Sequence, residues 1–266
     1  MAESIQSGLV QATQVAREAA VRRAANGVRF AAFGETGLDD ADLVRMVQAV
    51  PSTVAAALGH KTYYFVPLAL AEGRNAESAG HRRGNEETMI STVYSAELAE
   101  MAICHRNVAL GGGEDAGEEG VFISTRLLRD RFSLAFELFI NVGHAFVDEA
   151  GVPESFSELA WNQATADVRG ETSQDAWESR AQAVGGGQNA GRTDEKARTE
   201  YIEAAFSDAI AIYLLSLAVD FDYSELRERE YPLLAPQPLA ERLRLVARLF
   251  PPNAEYEFAI RYRRRA

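Results

Sequence analysis

Residues 126–150, RLLRDRFSLAFELFINVGHAFVDEA, decide the fold class. Leu128, Phe132, Ala135, Phe139, Val142 and Phe146 recur in steps of four and three, so a helix over this stretch carries a continuous apolar stripe that must be buried. Gly151 and Pro153 end it, because proline cannot continue a helix and glycine accepts the left-handed close. Glu137, Asn141, His144 and Asp148 are spaced 4, 3 and 4, which makes a polar ridge beside the stripe. A histidine and a carboxylate one turn apart can share a hydrogen bond. Such a ridge either lines a cleft, or faces water and satisfies neighbouring buried groups.

Upstream of this helix the pattern changes period. Thr62-Tyr63-Tyr64-Phe65-Val66 is rich in strand formers and lies between Gly59 and Pro67. Residues 89–94, 101–108 and 121–124 are further strand candidates, with a polar glycine-rich loop at 111–120. Residues 3–25 read as an amphipathic helix stopped by Asn26-Gly27. Asp39 and Asp40 suit the N-cap of another, carrying Leu43, Val44, Val47 and Val50, with Pro51 starting a short continuation to Leu58. Downstream, residues 154–168, 201–219 and 239–250 read as helices. The stretch 170–199, with Gly185-Gly186-Gly187 and few apolar residues, reads as a flexible loop. The expectation is an α+β, mainly helical single domain over residues 1–266, with a small sheet packed against the long central helix.

Composition sets outer bounds. An apolar fraction of 47% and a charged fraction of 25% are those of an ordinary globular protein. The formal charge of -12 argues against general nucleic-acid binding, since a phosphate backbone is repelled overall. The tail Arg261-Tyr262-Arg263-Arg264-Arg265 is a local exception and reads as a solvated end. No apolar run reaches eighteen residues, so no membrane span is expected, and the first residues lack the pattern of a secretory signal. A single cysteine, Cys104, excludes an internal disulfide and fits a reducing, cytoplasmic setting.

Only four histidines are present: His60, His81, His105 and His144. His60 and His81 sit in glycine-containing turns and are expected in solvent. Cys104 and His105 are neighbours on an expected strand, so their side chains point to opposite faces and form no catalytic pair. Cys104 is expected to be buried and structural.

The run Phe139-Ile140-Asn141-Val142-Gly143-His144-Ala145-Phe146-Val147-Asp148-Glu149, followed by Pro153, resembles the active helix of a family of bacterial zincin metallopeptidases, approximately HE(I/L)GHALID. Gly143, His144, Ala145, Asp148, Glu149 and Pro153 match in register, with conservative changes at Phe146 and Val147. The likeness is local, covering roughly residues 121–168. In the family's motif two histidines at i and i+4 meet one zinc, and a glutamate beside the first deprotonates the bound water. Here those first two positions are Ile140 and Asn141. An isoleucine cannot ligate a metal, and an amide cannot take a proton from water. The resemblance places a third ligand near Glu158 or Leu159. The later helix with Glu200, Glu203 and Asp208 offers another acidic candidate, because Phe206-Ser207-Asp208-Ala209 resembles a run in other zincins.

One histidine plus one carboxylate falls short of the three protein ligands of a catalytic zinc. The expectation is therefore a degenerate site (Ile140, Asn141, His144) with no catalytic residue, no bound metal and no cofactor. It would act by binding a protein or peptide, with Glu137, Asn141, His144, Asp148, Glu158 and Glu203 lining the cleft. Two alternatives stay open. One is a hydrolase of another type, pairing His144 with Asp148, Glu158 or Glu203. The other is a helical assembly protein whose apolar helices at 126–150 and 201–219 form a homo-oligomer interface.

Overall fold

The computed structural model describes residues 8–70, 88–111, 117–185, 193–226 and 231–260. Two compact units divide the chain, Met1–Glu137 and Leu138–Ala266, where the sequence pattern had suggested one domain. The class is α+β, and nine helices lie among the described residues.

In the first unit the order is β1 (Leu9–Gln11), α1 (Ala12–Glu18), β2 (Arg22–Arg23), β3 (Arg29–Ala32), α2 (Asp40–Gln48), α3 (Ser52–Ala57), β4 (Lys61–Val66), β5 (Leu68–Leu70), β6 (Met89–Ser91), α4 (Ala96–Ala99), β7 (Ala102–Ile103), β8 (His105–Ala109) and β9 (Glu119–Ser124). There are two sheets rather than the one expected. One is antiparallel, in the order β1-β6-β5-β7; the other runs β2-β3-β4-β9-β8, with β3, β4 and β9 parallel and both edge strands antiparallel. Strand β4 is central and buried along almost its whole length, which is why Tyr63 to Val66 shows an unbroken run of large side chains instead of alternation. Tyr64 pairs in register with Phe122, and their rings stack with centroids 4.7 Å apart. Ala12 and Val15 of α1 join Ala31, Val66, Ile90 and Val108 around that stack.

Residues 3–25 do not form the expected single helix. Within 8–25, only Ala12–Glu18 is helical, and Ala19 is already extended. Asn26-Gly27 is not a helix stop but part of the turn that joins β2 to β3, where Arg23 pairs with Arg29 and Gly27 takes a φ of 98°. The N-cap at Asp39 is as expected, its carboxylate accepting from the amides of Ala41 and Asp42. Cys104 is exposed, not buried, and His60 is half-buried; His81 and the arginine tail lie outside the described residues.

The second unit is helical: the remainder of α5 (Arg131–Ala150), then α6 (Glu154–Thr165), α7 (Gln174–Ala183), α8 (Glu195–Ala218) and α9 (Pro236–Leu249). From Ala205 to Leu215 every residue of α8 is buried, so it is the core of this unit. By length and composition it is the one helix among the described residues apolar enough to cross a membrane, and 72% of that stretch is buried inside the protein. Phe146, Phe156, Phe206 and Phe250 cluster around it, with Phe156 and Phe206 centroids 4.8 Å apart. The expected loop at 170–199 contains α7 instead. Its inward side is Ala176, Ser179, Arg180 and Ala183, which gives no apolar stripe to read.

Candidate functional site

The polar ridge of α5 does not act as one surface. Glu137 meets His105 of β8, with Nδ1 and Oε1 2.6 Å apart and both side chains partly screened from water. Further along the helix, Asn141 is buried at 8% exposure, whereas His144, Asp148 and Glu149 are exposed. Ile140 is half-buried. Between Asn141 and His144 the helix lies tightly on α8 at Gly143. A Cβ on that residue would stand 2.5 Å from the carbonyl oxygen of Ser207, so only glycine permits the approach. The Ser207 hydroxyl, enclosed at this crossing, has no hydrogen-bond partner among the described residues.

Next to Ser207 stands Asp208, a carboxyl at 7% exposure. Burial pushes it above the usual carboxylate range. Hydrogen bonds from Ser173 and Thr172 oppose that push, as do the nearby charges of His144 and Arg242. The Thr172 hydroxyl donates to Oδ2 at 2.7 Å. The exposed His144 thus lies within electrostatic range of the enclosed Asp208. Glu158 on α6 and Glu203 on α8, which the sequence placed in the cleft, are exposed carboxylates.

The residues present do not fit a catalytic zinc. Among the described residues no three His, Cys, Asp or Glu side chains converge in a metal-binding group.

Sequence reading singled out His144 and named Asp208 among the acidic alternatives, but missed Thr172 and Ser173. Both lie in the 170–199 stretch, whose composition predicts a loop, and the only signal of their role is local. Ser173 caps α7, accepting from the amide of Ala176 at 3.2 Å, which a Ser-x-x before a helix can announce. No protein-family model, no curated protein and no solved structure matches this chain.

Proposed function

We propose that the protein is a catalytically inactive, zincin-like protein that works in the cytoplasm by binding a protein or peptide partner at the His144 surface. The observation that carries this reading is the pair Ile140 and Asn141, which removes metal capture and water activation from a helix otherwise patterned on the peptidase motif. Asn141 is buried on the same helix, and its carboxamide has no proton-accepting role to offer a bound water. The test is metal analysis and peptidase assay of the purified chain beside Ile140→His/Asn141→Glu. The native chain is expected to hold no stoichiometric zinc and to cleave no peptide, and the double variant, with two histidines and no third ligand placed beside them, is expected to remain inactive. Stoichiometric zinc in the native protein, lost in His144→Ala, would overturn the reading.

A second reading is favoured by the electrostatic influence of His144 on Asp208. An enclosed carboxyl within electrostatic range of an imidazole, with the Thr172 hydroxyl on it, is a starting point for acid–base chemistry, so a hydrolase of another type is the alternative. It predicts an activity abolished by His144→Ala and by Asp208→Asn alike. The assembly reading loses one of its supports, because the apolar helix at 201–219 is buried within its own unit.

A further inference from the structure

Glu171 is fully buried, and its carboxylate is held from several sides. Arg242, equally buried, donates Nη1 to Oε2 at 2.9 Å and Nη2 to Oε1 at 3.4 Å. Arg180 donates to Oε1 at 3.2 Å and the Tyr201 hydroxyl to the same oxygen at 2.9 Å. Two further donors of Arg242 are used as well: Nη2 reaches the Tyr201 oxygen at 2.9 Å and Nε reaches Oε1 of Gln163 at 2.8 Å. The backbone is pinned at the same place. The amide of Glu171 donates to Pro232, its carbonyl accepts from Leu234, and Gly170 at a φ of 81° lies where a Cβ would be 2.2 Å from the Leu233 carbonyl oxygen.

Burying three charges costs several kcal/mol of desolvation per ion, and apolar side chains would fill the same space as stably. What the network supplies instead is position. The residues that follow Glu171 are Thr172 and Ser173, whose hydroxyls serve Asp208.

We propose that Arg242 is a positioning residue for the His144 surface: through Glu171 it fixes the backbone so that the Thr172 and Ser173 hydroxyls are held on the Asp208 carboxylate. This rests on reading His144 and Asp208 as the functional surface. The groups facing Asp208 are His144 from α5, Arg242 from α9, and the two hydroxyls from the segment entering α7. Losing the hydroxyls removes hydrogen bonds to the charged form, so the titration midpoint of Asp208 rises.

The experiment is side-chain carboxyl NMR titration of Asp208 in the full chain. Thr172→Val sets the scale and is expected to shift the midpoint upward. Arg242→Lys keeps the charge but loses the forked donor, and Tyr201→Phe changes no charge and little volume. Each is expected to shift the midpoint in the same direction as Thr172→Val. Should Arg242→Lys fail to fold, Tyr201→Phe decides. An unmoved or lowered midpoint in the folded variants overturns the proposal, as does an unmoved midpoint in Thr172→Val. Zinc content and peptide cleavage do not enter this readout, so its failure and that of the proposed function are separable.

Discussion

Asp208 shows how one enclosed carboxyl links stability to pH. Its folded-state pKa is raised by burial, and the hydroxyls of Thr172 and Ser173 with the charges of His144 and Arg242 offset only part of that rise. Below the ordinary aspartate value, about 3.9, the group is protonated in folded and unfolded chains alike. Above it the native state holds the proton longer, so the stability contributed by this group falls as pH climbs through the folded pKa. Asp208→Asn has no such proton to release. Urea unfolding at a series of pH values should therefore show wild-type stability declining relative to the variant from about pH 4 upward, until the folded group has ionised. A difference that stays flat across that range would contradict the assignment. His144 on its helix could be found from spacing alone, but this partner could be recognised only once α8 and the 170–173 segment were folded against each other.

At the scale of elements, the α5–α8 crossing is set by one missing side chain. Gly143→Ala should gain about 1 kcal/mol of helix propensity. It should lose more, because the new methyl meets the backbone oxygen of Ser207 at 2.5 Å and that atom cannot rotate away. Overpacking of this kind costs about 1–3 kcal/mol, so thermal unfolding should show a lowered Tm, and an unchanged or raised Tm would mean the helices separate freely. The sequence made α5, α6, α8 and α9 legible because each carries several large apolar side chains or clear stop residues. It hid α7, whose inward face is built from alanine, serine and arginine, and it hid β3 and β5, which are too short for a period to emerge. Asn26-Gly27 was ambiguous in principle, since one dipeptide serves both a helix close and a strand turn, and only the pairing of Arg23 with Arg29 resolves it. The site was partly legible for the same reason. Spacing within one helix gave the ridge, but the partner of Glu137 sits on β8 and the support of Asp208 comes from residues with no apolar signal.

Over the whole molecule, the charge distribution constrains what the His144 surface can bind. The chain carries 39 acidic and 27 basic residues, and the second unit buries two of its arginines against Glu171, where they are unavailable to a partner. A phosphate backbone gains affinity by exchanging counterions for accessible cations, and a surface with net charge -12 offers too few. The four arginines at 261–265 are the one concentrated basic run, so any nucleic-acid affinity should reside there and vanish when they are neutralised. Fluorescence anisotropy with a labelled duplex should thus show no rise at about 0.15 M salt up to roughly 10 μM protein, a concentration within the usual range of non-specific association. Any signal at lower salt should be lost on changing Arg261, Arg263, Arg264 and Arg265 to serine. Binding that survives both physiological salt and that change would move the search for a partner away from proteins and peptides toward nucleic acid.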